Sequence, residues 1–351
     1  MAITITHEIG SHSALLADVR IPSYAAWGVH IKYAKNNSGT LTLSVCGDNP
    51  ELPLINSMVS EVAVMDGAAE IWRGRVAALE KTDRGRYKIT VMGLLDYLHD
   101  TLCPAIEASG TASQMLTKLI AAHNAKPITA QQKYAVGSVT ISDTVALKTQ
   151  GRSTTWAELA ALIQKYGGYV FARRESGTNY IDWLASVDHV CGRTLESGVS
   201  ISSLSLGIDP TDLVTVMYGY GGTVDGATID IGAANGGAAY VTAPDAVGAF
   251  GWIEGVYQDT SLTDASALLA ATKRELQRKI DAVRSVKVTA LDRLDLQGSE
   301  SMDIGYQIRV RAPRLGIDEL MPIVELDWYP YEPTETSIVC CASMRAISRI
   351  K

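Results

Sequence analysis

The chain has 351 residues, 47% hydrophobic and 20% charged, with a net charge of −7. Such a length and composition suit two or three globular domains with a sizeable core, and the acidic balance argues against a surface that grips nucleic acid. The first residues carry no basic start and no apolar run, and no stretch approaches the roughly 18 apolar residues of a membrane span, so neither a signal peptide nor a transmembrane segment is expected.

Residues 1–93 read as strands. Ile3 and Ile5 alternate with Thr4 and Thr6, Val29, Ile31 and Tyr33 with His30 and Lys32, and Leu41, Leu43 and Val45 with Thr42 and Ser44. A period of two marks half-buried strands. Asp66-Gly67 and Arg84-Gly85 supply hairpin turns between Val59–Met65, Ala69–Leu79 and Tyr87–Met92. Many short strands with glycine turns suggest a barrel or sandwich. The pattern changes at Gly93. Leu94, Leu95, Tyr97 and Leu98 predict a short helix that stops before Pro104. Thr111-Ala-Ser-Gln114 and Thr155-Trp-Ala-Glu158 have capping-box spacing, each followed by a helical apolar face. Gly167-Gly168 ends the second helix, and Ser176-Gly177 turns a hairpin between Tyr169–Arg174 and Thr178–Leu184.

Beyond Ser200 strands return. Asp212–Gly222 is a strand run, Val224–Ala239 a Gly- and Ala-rich loop or hairpin arm, and 263–282 a helix with Leu268, Leu269, Leu276 and Ile280 on one face. Val286–Ala290, Ile304–Val310, Met321–Trp328 and Thr336–Cys341 complete the set. The expected class is α+β, mostly β, in three parts: a first β-rich domain at 1–93, an α+β module at 94–199, and a second β-rich domain with one long helix at 200–351.

Residues suited to chemistry are scattered. The six histidines (7, 12, 30, 99, 123 and 189) form no HExxH and no zinc-ligand spacing with cysteine, so no metal site is expected. GxSxG, GxGxxG and P-loop patterns are absent. His189 and Cys191 would share a face on a strand, but Asp188–Gly192 reads as the start of a loop. Asp295, Glu300 and Asp303 read as a solvated acidic loop. The five cysteines (46, 103, 191, 340 and 341) lack CxxC spacing and are expected reduced; Cys340 and Cys341, adjacent on a strand, would face opposite ways. The glycines of Gly219-Tyr-Gly-Gly222 suit turns, or a strand end that meets a neighbouring subunit closely. Trp252-Ile-Glu-Gly255 and Asp327-Trp-Tyr-Pro330 suit core edges and protein interfaces. No catalytic, cofactor-binding or metal residue is therefore assigned, and no enzyme activity is expected.

The order of segments resembles the phage tail hub family, which includes prophage endopeptidase tail proteins, the hub part of tail-associated lysins and the baseplate hub of contractile tails. The segments are Ala69–Val76, Thr90–Asp100, Asp209–Gly221, Gly251–Asp259, the helix 263–282 with Val286–Asp292, Ile304–Val310 and Pro333–Ile338. The match at Thr90–Asp100 departs from the family's Glu-Gly, since Met92 stands first. The resemblance implies a homotrimer with two barrel-like, tail-tube-related domains per subunit, six similar units around a channel, and an α+β module inserted between them. It implies a place at the virion tail tip after synthesis in the bacterial cytoplasm. Implied neighbours are the distal tail protein, the tail tube protein, the tape measure protein and a central fibre or spike, with DNA passing the channel unbound. Long members add a C-terminal peptidase or lysozyme; with the last hub strand near Lys351, none is expected here. Two alternatives stay open: a cell-wall-degrading tail hydrolase, and the hub of a contractile injection system.

Overall fold

In the first segment apolar residues alternate so regularly that each strand can present one face to a common core. The computed structural model describes residues 3–82, 85–198, 201–208, 211–224, 226–282, 284–290, 302–315, 317–332 and 335–341. Strands β1 (Ile3–Ile9), β2 (His12–Ala17), β3 (Ala26–Ala34), β4 (Thr40–Cys46), β5 (Glu61–Asp66), β6 (Ala69–Lys81) and β7 (Arg86–Gly93) pair antiparallel. In β4, Leu41, Leu43 and Val45 are buried while the residues between them are half-exposed. The β5–β6 turn closes on Gly67 at φ +61°, a conformation that favours glycine.

The α+β module follows. The predicted short helix is a 3-10 helix at Leu94–His99. Next come β8 (Glu107–Thr111), α1 (Ala112–Asn124), β9 (Tyr134–Val139), β10 (Thr144–Lys148), α2 (Thr155–Tyr166), β11 (Tyr169–Glu175) and β12 (Thr178–Leu184). The first capping box forms as read: Gln114 N–H donates to Thr111 Oγ1 at 3.3 Å, and Thr111 N–H to Gln114 Oε1 at 3.0 Å. The second box does not form, and the N-cap shifts by one residue. Thr154 caps α2, accepting from Ala157 N–H at 3.2 Å. The Thr155 hydroxyl is buried instead, 2.9 Å from Thr101 Oγ1, and Glu158 takes the Ser153 hydroxyl. A buried partner outcompetes the local cap because an unpaired hydroxyl there would be costly. The core of this part runs from Leu94 to Trp183, with Trp183 donating to Gly167 O at 2.9 Å.

The remaining strands are β13 (Val190–Glu196), β14 (Ile201–Ile208), β15 (Val216–Val224), β16 (Ala227–Asp230), β17 (Tyr240–Thr242), β18 (Glu254–Gln258), β19 (Arg284–Ala290), β20 (Gln307–Ala312), β21 (Ile317–Trp328) and β22 (Ser337–Cys341), with helices α3 (Pro244–Phe250) and α4 (Ala265–Ala282). One expectation changes here. The segment at Asp188–Gly192 enters strand β13 rather than a loop, because Leu195 packs into the core and β13 pairs parallel with β20. The Gly-rich stretch after Val224 forms a hairpin, β15 with β16.

The mostly β, α+β class is observed, but the described strands close no barrel. Thirteen of them form one sheet along the open path β14-β19-β22-β21-β3-β4-β7-β6-β5-β1-β2, with β20 and β13 branching from β21, and the rest form three smaller sheets. The reason is β21. Its first half, to Pro322, pairs with β20, and its second half pairs with β22 and β3. The strand thus passes from one partner to others near Ile323, and the late strands extend the sheet of the first segment. One core follows, in which Ile5, Leu41 and Val91 share a cluster with Val310, Ile323 and Ile338. A further small sheet (β16-β15-β17, with β18 parallel to β15) packs on α4 with its own core around Met217, Ile231, Leu268 and Leu276.

Candidate functional site

The densest chemistry lies where the module meets the sheet. Arg73 and Arg75 are two apart on β6, so they share a face. Gly74 between them is needed: a Cβ there would sit 2.2 Å from Met92 O. Arg73 donates to Glu70 at 2.6 Å, to Glu8 at 2.6 Å and to Glu61 at 3.1 Å. Arg174, from β11 of the module, forks onto Glu61 at 2.5 and 2.9 Å. The Tyr97 hydroxyl donates to Glu61 at 2.7 Å. Arg75 binds Asp96 at 2.5 Å and Asp100 at 2.6 Å, with its guanidinium 4.6 Å above the Tyr97 ring. Glu61 is only 1% exposed, so two guanidiniums, of Arg73 and Arg174, and the Tyr97 phenol share a buried anionic node. Burial opposes the Arg73 charge, but hydrogen bonds to Glu8 and Glu70 outweigh it and raise its pKa. Burial and the Glu61 charge together push the Tyr97 hydroxyl up. Apart from the buried Arg75 Nε, which meets no hydrogen-bond partner among the described residues, these groups satisfy one another, so the arrangement acts as a rigid joint rather than a reactive centre.

A second cluster stands at the end of the sheet path. His7 on β1 and His12 on β2 point to one side, since His12 pairs with Ile9. Glu51, which opens the 3-10 helix Leu52–Leu54, lies between them. Its Oε2 is 2.9 Å from His7 Nδ1 and 2.8 Å from His12 Nε2, and His7 Nε2 is 2.9 Å from Ser60 Oγ. Burial opposes the Glu51 charge, yet the two histidine contacts hold its carboxyl below the usual range. No metal-ligand set is visible in the sequence because Glu51 is 44 residues from His7.

The other singled-out residues disperse. His30 bonds Asp327 at 3.0 Å and stacks on Tyr329 with ring centroids 4.3 Å apart. His99 lies against Trp156. His123 is buried, 2.6 Å from Thr101 Oγ1, and burial pushes its pKa down. His189 packs on Tyr306, and Cys191 is buried in the core of the large sheet. Asp303 accepts from Ile304 N–H at 2.7 Å. Asp295 and Glu300 lie outside the described residues, as does the Cys341 side chain. Trp328 is buried, whereas Trp252 is 53% exposed and packs edge-on against Tyr240. The glycines of β15 pack closely against the chain's own residues. A Cβ on Gly219 would come 2.2 Å from Thr272 Oγ1 of the chain's own α4.

This fold, spanned end to end, is that of phage tail and baseplate-like structural proteins. The tail protein from Neisseria meningitidis has a similar structure (TM-score 0.69, 12% identity, 100% of this chain and 99% of that one). So does prophage tail protein gp18 from Listeria monocytogenes (TM-score 0.64, 16% identity, 99% and 98%). A component of the type VI secretion system of E. coli, itself described as similar to T4 tail proteins gp27 and gp5, matches more loosely (TM-score 0.52, 10% identity, 89% and 72%). Residues 190–351 match the family described as Prophage endopeptidase tail, and the resemblance to the phage tail hub family is borne out. No curated protein sequence matches the chain. No described helix is long and apolar enough to cross a membrane.

Proposed function

We propose that the chain is the hub of a phage tail tip: a homotrimeric ring that closes the tail tube and joins it to the distal tail protein and a central fibre or spike. The observation that carries this reading is the likeness in fold to phage tail proteins over the whole length of both chains. In this reading residues 1–93 and 200–351 are the ring-forming domains and 94–199 the inserted module. The tape measure protein ends on the ring, and DNA crosses its channel without specific binding, as the net charge of −7 favours. The role is mechanical, without catalysis. Rings of this kind bury large permanent interfaces. The exposed side chains of Trp252 and Val256, the latter 66% exposed, with Tyr240 beside Trp252, suit such a contact.

Light scattering on the purified chain tests the reading. Three chains per particle are expected, and Trp252→Ala is expected to weaken the assembly. A stable monomer that never joins tails would overturn it, as would cell-wall zymography showing activity lost in Cys191→Ala. The likeness to the E. coli secretion component favours a second reading, the hub of a contractile injection system, which genome neighbourhood distinguishes.

A further inference from the structure

We propose that His7, His12 and Glu51 form a three-ligand site for a divalent transition-metal ion of the zinc class, with Ser60 orienting the inner imidazole. One ligand atom from each residue falls within a 4.8 Å span of the others. Tetrahedral zinc with bonds of about 2.0–2.1 Å spaces its ligands about 3.3 Å apart. The present separations of 2.8 and 2.9 Å from Glu51 Oε2 therefore need to open by only about 0.5 Å. Two imidazole nitrogens and one carboxylate select against calcium and magnesium, which prefer all-oxygen cages.

The ligands sit on rigid supports. His7 is fully buried on β1, which is paired on both sides, to β2 and β5. Its Nε2 meets Ser60 Oγ, which also accepts Asn56 N–H at 3.0 Å. An imidazole that donates to Ser60 from Nε2 presents the Nδ1 lone pair to the metal, the outer-shell arrangement typical of ligating histidines. The loop bearing Glu51 is fixed by Asn49, whose side chain donates to Leu16 O at 2.8 Å and accepts Glu51 N–H at 3.0 Å. The His12 side chain is 42% exposed, so the metal's fourth position opens to water on that side. A carboxylate and two neutral imidazoles leave one positive charge on the bound ion, which that solvent contact screens. The ion would tie the β1–β2 hairpin to the Glu51 loop at the end of the sheet path.

The test uses the full chain, purified without a histidine tag and stripped with a chelator. Titration with ZnCl2 by calorimetry is expected to give one ion per chain. Co2+ is expected to produce the strong visible bands of a low-symmetry, four- or five-coordinate site. His12→Ala, at an exposed position, should keep the native circular dichroism and weaken zinc binding at least about 100-fold, the upper end of what losing an orienting partner alone costs. Glu51→Gln should weaken it as well, and His99→Ala should leave it unchanged. Lack of saturable binding at millimolar zinc, or equal affinity in His12→Ala, would overturn the site.

Discussion

Removing the Glu61 carboxylate should loosen the joint between the module and the sheet. In Glu61→Ala, Arg174 loses its fork at 2.5 and 2.9 Å and Tyr97 loses its acceptor at 2.7 Å. Arg73 keeps Glu8 and Glu70. Breaking a buried charge pair by deleting one partner costs about 3–5 kcal/mol, and the remaining partners of Arg73 place this case near 3 kcal/mol. Arg174→Ala should cost less, about 1–2 kcal/mol, because Glu61 retains Arg73 and Tyr97. Since the two changes remove the same contact, the double variant should cost clearly less than their sum, by about 1 kcal/mol or more. Urea unfolding measures all four species, and limited proteolysis between residues 94 and 190 reports undocking of the module. Strict additivity, or a Glu61→Ala change below about 1 kcal/mol, would refute the description of Glu61 as the node.

Two further outcomes follow from the geometry. Gly219→Ala places a Cβ against Thr272, whose hydroxyl is tied to Leu268 O at 2.8 Å, and 2.7 Å from Ile231 Cγ2, so overpacking of about 1–3 kcal/mol is expected; thermal melting should show Thr272→Ala recovering only part of it, and an unchanged midpoint in Gly219→Ala would contradict the contact. Stability should also fall in acid. The Arg73 hydrogen bond lowers the Glu8 pKa against the opposition of burial, and the contacts of His7 and His12 outweigh burial at Glu51. A carboxyl depressed when folded stabilises above its unfolded pKa, near 4.5, and that contribution is lost as pH falls through the depressed value. Melting temperature should therefore decline below about pH 4.5, less steeply in Glu8→Gln, and a flat profile there would count against both assignments.

Local pattern carried much of the fold into view. The alternation in β4, the box at Thr111 and the apolar face of α4 each depend on residues within a few positions of one another, and each forms. What stayed hidden depends on distant partners. The displaced cap at Thr154 follows from the buried bond of Thr155 to Thr101, 54 residues away. The open sheet follows from the change of partners along β21, which no periodicity encodes. The Arg73-Gly-Arg75 stretch is legible as a family segment, but Arg174, which shares Glu61 with Arg73, reads in the sequence as an ordinary hairpin residue. The histidines were legible one by one, and their convergence on Glu51 was not.

The β3–β21 pairing has a consequence for how the chain reaches this state. Leu326 sits opposite Tyr33 and Trp328 opposite Ile31, so the two strands that make the seam are separated by nearly the whole polypeptide. During synthesis β3 therefore waits with one edge unpaired until residues 317–328 have left the ribosome, while the module between them can already bury its own core from Leu94 to Trp183. Contacts of such long range are slow to close, and an unpaired edge invites association with other chains. A nascent chain stopped before β21 should accordingly be more prone to aggregate than the finished one, and sedimentation of stalled ribosome complexes would measure it.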